Sequence, residues 1–142
     1  MTSWKMYMGS ILQEPNRGAK PKTPSYRVSE WIPRWAEAGF DGIELWEYHA
    51  TLVDETELQA LEASPLPIAV FNSYATMDEA GRADRRTATE LAVRLGATGI
   101  KFNVGKDPAE WDSYLAHVRE WREELPDQID LISECHPDNV NE

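Results

Sequence analysis

Residues 91–105 read LAVRLGATGIKFNVG, and this stretch holds the unit that organises the whole chain. Ala88, Leu91, Ala92 and Leu95 recur at three- and four-residue steps, which predicts a helix over residues 87–95 with one apolar face. Gly96 closes it, because glycine takes the left-handed conformation at a helix end without a Cβ penalty. The run GIKFNVG that follows reads as a strand.

The same unit repeats on both sides. Upstream, Val28, Trp31, Ile32, Trp35 and Ala36 form an amphipathic pattern stopped at Gly39, and DGIELW at 41–46 follows as a strand. Pro33 sits near that helix's first turn, where a missing N–H costs little. Asp54 and Glu57 have capping-box spacing and open a short helix that buries Leu58 and Leu61. PIAVF at 67–71 is the next strand. Nearer the N-terminus, WKMYMGSIL at 4–12 suits a strand, and the Pro-, Lys-, Arg- and Asn-rich residues 13–25 suit a long loop of the kind that carries function. Downstream, Asp107-Pro108-Ala109-Glu110 combines an N-cap, a first-turn proline and a capping-box glutamate. The helix it starts is expected to bury Trp111, Leu115, Val118, Trp121 and Leu125 and to end before Pro126, with DLISE at 130–134 as a fifth strand. Arg82, Arg85 and Arg86 read as a solvated helix start.

Strands that alternate with helices at this spacing pair in parallel, because a crossover helix returns the chain to begin a parallel neighbour. The fold class is therefore α/β, with residues 1–142 as one domain. Two architectures satisfy the pattern. One is an open doubly wound, flavodoxin-like sheet serving as a non-catalytic binding or assembly module. The other is a TIM-type (β/α)8 barrel, which needs roughly 250 residues and would here be a truncated half-barrel of the first five units. Asn139 and Glu142 have helix-opening spacing at the chain end, which favours a cut inside a βα unit.

Composition narrows the partners. Twenty-five acidic residues against 14 basic give a net charge of −11, which repels nucleic acid and anionic lipid. Cys135 is the single cysteine and MTSWKMYMGSIL lacks a long apolar run, so a cytoplasmic protein with no membrane segment is expected. There is no GxGxxG, Walker-type loop, CxxC or serine nucleophile elbow.

Three segments carry a resemblance: AEAGFDGIELWEYH at 36–49, LAVRLGATGIKFNVG at 91–105 and LISECHPDN at 131–139. In order and spacing they resemble strands two, four and five of the xylose-isomerase-like sugar phosphate isomerase/epimerase family. The resemblance implies a metal-dependent isomerase or epimerase, or a related dehydratase or lyase, acting on a small sugar or polyol. It also implies that Glu134 is both a catalytic group and the first ligand of a divalent cation (Mn, Mg, Co or Zn). The remaining ligands, an aspartate, a histidine and a second glutamate, belong to strands six to eight of that family. Apurinic endonucleases of the same fold place zinc-binding histidines after strands three and four, whereas FNSYATM and KFNVGKD contain none.

Other residues invite a substrate role, each beside a structural one. His136 follows Glu134 by two positions, so in extended backbone both point the same way; it either contacts substrate or metal, or caps a loop. His49 would lie in the loop above the second strand and line a sugar pocket. Trp46 either stacks on a sugar ring or fills the core. Asn72 and Asn103 end the third and fourth strands. Glu44 interrupts an apolar strand and needs a partner if buried, for which Lys101 is the natural cation. Lys101 alternatively steadies a phosphate or enolate oxygen. With one carboxylate and no second face to the site, the chain alone is expected to bind metal weakly or not at all and to lack turnover. An unclosed barrel is expected to form a homodimer or a larger homo-oligomer.

Overall fold

The computed structural model describes residues 4–134 and residue 136. Cys135 and the capping spacing at Asn139 and Glu142 lie outside the described residues. One sheet of five parallel strands runs through the chain: β1 (Tyr7–Gly9), β2 (Gly42–Trp46), β3 (Ile68–Asn72), β4 (Gly99–Phe102) and β5 (Asp130–Ser133). Each strand neighbours the one before it, in the order β1-β2-β3-β4-β5. That order excludes the doubly wound alternative, in which the sheet is built outward in two directions from an internal strand. It is the order of an unclosed barrel wall.

Helices α1 (Ile32–Glu37), α2 (Tyr48–Thr51), α3 (Glu55–Glu62), α4 (Arg82–Arg94) and α5 (Trp111–Glu124) accompany the strands. Side-chain alternation gives the sheet two unlike faces. Ile43, Leu45, Ile68, Phe71, Ile100 and Phe102 point toward the helices and join Ile32, Trp35, Leu61, Ala88, Ala92 and Trp121 in a single core. Glu44, Trp46, Val70, Asn72, Gly99, Lys101 and Ile132 share the other face by strand register, the face that a closed barrel would enclose. A Cβ built on Gly99 would lie 2.7 Å from the Ile132 side chain, so these two strands present that face together.

The turns into β2 and β4 use one device. Gly39 (φ 88°) and Gly96 (φ 72°) are left-handed, and each is flanked by the paired 6→1 and 5→2 hydrogen bonds of a Schellman cap. Phe40 N–H reaches Trp35 O and Ala97 N–H reaches Ala92 O, while Gly39 N–H reaches Ala36 O and Gly96 N–H reaches Val93 O.

Several elements differ from their sequence reading. β1 stops at Gly9 because Ser10 turns inward and its Oγ, not a backbone carbonyl, accepts the Trp46 N–H at 2.9 Å. The first amphipathic segment splits into a 3-10 turn over Val28–Glu30 and the short α1. Helix α4 begins at Arg82, earlier than its apolar pattern, and Asp107 caps a 3-10 turn before α5 by accepting from Ala109 N–H. Of the α5 residues expected inside, Trp121 is buried, whereas Trp111 and Val118 pack against the core half-buried and Leu115 is likewise half-buried. Arg85 is not solvated: it is 2% exposed and donates to the carbonyls of Thr76 and Asp78 at 2.5 and 2.8 Å.

Candidate functional site

Parallel strands deliver their C-terminal ends to one mouth, where barrel enzymes assemble chemistry. At that mouth Lys101 of β4 reaches across β3 to Glu44 of β2, with Nζ 2.5 Å from Oε1, and donates also to Glu134 Oε1 at 3.3 Å. The three charges come from three strands that the register brings together, since Lys101 pairs with Ile132 of β5 and Glu134 N–H continues the ladder to Phe102 O. Their side chains keep 17% (Lys101), 26% (Glu44) and 36% (Glu134) of their surface, enough for solutes to reach them. Burial opposes the Lys101 charge, yet hydrogen bonding and attraction from Glu44, and then Glu134, outweigh it and hold the ammonium above the ordinary lysine value. The partner expected for Glu44 is thus found. The same cation also holds Glu134, which the sequence did not indicate.

Tyr74 connects this cluster to a cleft. Burial pushes its hydroxyl up, the Trp46 side chain opposes that rise, and smaller influences follow from Glu134, which adds to it, and Lys101, which opposes it. The cleft, about 250 Å³, lies between the loops after β3 and β4 and is lined by Tyr74, Thr76, Asp78, Asn103, Lys106 and Tyr114 among others. Asn72, at the end of β3, is buried on the sheet face that carries Lys101. His136 is exposed beyond β5.

His49 and Trp46 are both buried. His49 belongs to α2, not to a loop, and is 1% exposed. Its Nδ1 lies 2.9 Å from Ser10 Oγ and its Nε2 lies 3.1 Å from Glu14 Oε2. A carboxylate only accepts, so Nε2 carries the proton and Nδ1 accepts the Ser10 hydroxyl. Glu14 also receives the backbone N–H groups of Asn16 and Ser25, which ties both arms of the long loop to this histidine. Trp46 is fully buried and meets Tyr48 and His49 edge-on, with ring centroids at 4.9 and 5.1 Å. By register it lies on the sheet face that carries Asn72 and Lys101.

One group at the mouth was not singled out from sequence. Glu47, directly after β2, accepts from Tyr74 N–H at 2.9 Å and from the Ser73 hydroxyl at 3.3 Å. Burial pushes its carboxyl up, these hydrogen bonds pull it down, and the nearby Asp84 adds to the rise. Its place immediately after a buried strand was the available signal.

Among the described residues no three His, Cys, Asp or Glu side chains stand together to hold an ion, and the Glu134 carboxylate is already paired with an ammonium. Among the described residues no helix is long and apolar enough to cross a membrane.

Comparison with known proteins places the architecture. A crystal structure of the probable 3-DHS dehydratase AsbF, involved in petrobactin synthesis in Bacillus anthracis, superposes with a TM-score of 0.72 at 20% identity. The match covers 96% of this chain and 54% of that one. The chain has the α/β fold of part of a TIM-type barrel, a five-stranded parallel half-barrel that spans about half the length of that structure. At this identity the likeness to the dehydratase concerns fold alone. No protein-family model matches the chain, and no curated protein matches it.

Proposed function

We propose that this chain supplies one half of a sugar- or polyol-processing site of the isomerase, epimerase or dehydratase kind, and that the 142 residues alone do not turn over substrate. The observation that carries this reading is the position of Glu134: a carboxylate at the C-terminal end of β5, facing the mouth beside the Lys101 ammonium. In such a site the cleft beside Tyr74 holds a hydroxylated ligand. Lys101 has three N–H donors, two of them directed at Glu44 and Glu134, and the third is available to an oxygen that gains charge as a neighbouring C–H is deprotonated. Glu134 would take or return that proton. Exchange at a sugar carbon also requires a group on the opposite face, and the wall that would carry it is the other half of the barrel. Any divalent cation would likewise belong to the completed barrel.

Two measurements test this reading. Incubation of the purified chain with ketoses and Mn2+, Mg2+, Co2+ or Zn2+ should give no isomerised or epimerised product; metal-dependent conversion would overturn the proposal. Titration with small polyols and hydroxy acids should shift the backbone NMR signals of Asn72, Tyr74, Lys101 and Glu134. Shifts confined to other surfaces would remove the mouth as the binding site.

A further inference from the structure

We infer that the Lys101 ammonium is the built-in cation of this half-barrel, seated where the resemblance puts a divalent metal, and that it keeps such an ion off Glu134. The inference rests on the reading of Glu134 as the mouth carboxylate. It starts from the charges at the mouth: the further ligands that the resemblance implies belong to strands six to eight, and the described residues contain no cluster of His, Cys, Asp or Glu able to hold an ion. What they contain instead is one positive charge between two negative ones.

The geometry explains why the two cations exclude each other. A divalent ion bound about 2.1 Å from Glu134 Oε1 would stand no more than about 5.4 Å from Nζ, because Nζ is itself 3.3 Å from that oxygen. Two positive charges at that range, at a partly buried site, repel each other strongly. Lys101 cannot simply swing away into water, because Glu44 grips it at 2.5 Å and the side chain is only 17% exposed. Glu44 is therefore the positioning residue that anchors the ammonium, and Glu134 is the carboxylate it neutralises. Without the ammonium, Glu44 and Glu134 would face the same space with no counter-charge, a condition that a divalent cation relieves.

The test is chemical rescue. In EDTA, Lys101→Gln should melt several degrees below the unmodified chain, and Mn2+ should restore it while leaving the unmodified chain unchanged. Direct Mn2+ titration, followed by the electron paramagnetic resonance of the free ion, should show Lys101→Gln binding at least about tenfold more tightly. Adding Glu134→Gln to that variant should abolish the gain. Lys106→Gln removes the same charge from the loop just after β4 and should give no such gain. Equal Mn2+ affinity in the unmodified chain and Lys101→Gln overturns the inference, as does equal tightening in Lys106→Gln. If the unmodified chain binds Mn2+ and loses it in Glu134→Gln, the Glu134 reading stands and the role of Lys101 falls. If the gain survives Glu134→Gln, both fall. Should Lys101→Gln not fold, the unmodified chain decides: its Lys101 ammonium NMR signal should persist unshifted in millimolar Mg2+, and its displacement would sink the inference.

Discussion

His49 has almost no surface in contact with water and both ring nitrogens are engaged, so acid reaches the fold through it. Burial is the dominant influence and lowers its pKa below the ordinary 6.5, against the opposing pull of Glu14. Between that lowered value and 6.5 the unfolded chain binds more protons than the folded one. The His49 contribution is therefore complete above about pH 6.5 and shrinks as pH falls toward the folded value. Glu14 behaves in the same sense lower down: burial raises its pKa, but hydrogen bonds from Ser25, Asn16 and His49 prevail and hold it below 4.5. Its stabilisation is complete above that value and is lost as pH falls through the folded pKa. Thermal melts across this range should show a decline starting near pH 6.5, and His49→Gln, which cannot titrate there, should flatten that first decline. His49→Ala should cost about 3 kcal/mol, because it strands a buried carboxylate. Of these residue-scale features, the Glu44–Lys101 pair was legible, since an acidic residue inside an apolar strand must find a cation. The Ser10–His49–Glu14 chain was not. Its members lie 39 and 35 positions apart, and the turn that swings Ser10 inward leaves no trace in local spacing.

Arg85 shows how an element holds a loop. The guanidinium is buried in α4 and fixes the chain before that helix through two carbonyls, each charge-assisted bond contributing about 1.5–3 kcal/mol. Arg85→Met should destabilise the fold by about 2–4 kcal/mol and open residues 74–81 to limited proteolysis, while cleavage elsewhere stays unchanged. A loop that remains resistant would mean that other contacts secure it. Asp54, whose side chain accepts the Glu57 N–H at 2.9 Å, should lose about 1 kcal/mol on substitution by alanine, read as a small drop in melting temperature. Capping signals of this kind, the glycine stops and the apolar strands were all readable, and they located every strand and most helices. Arg85 was misread because a basic run normally marks a wet surface. Here the preceding loop supplies carbonyls that neutralise the cost of burying it. The four-residue α2 escaped notice because it is too short to show a helical period.

At the scale of the whole molecule, among the described residues β1 and β5 each pair on one side only, and the helix-free face leaves Tyr7 and Ile132 each 40% exposed. Unpaired strand edges and an uncovered apolar surface favour a second copy. Sedimentation equilibrium of the 142-residue chain at micromolar concentration should therefore give a dimer or a larger symmetric species, and a cooperatively melting monomer would rule this out. The parallel pattern was legible from the alternation of strands and helices, but the choice between barrel wall and doubly wound sheet was not, because both share that alternation and differ only in neighbour order. That neighbour order has a consequence in time. Every strand after β1 finds its partner in the strand synthesised just before it, so no segment has to wait for a distant one to leave the ribosome. Each new βα unit can dock onto a wall already standing, and the wall can grow at the pace of translation, one strand behind the emerging chain.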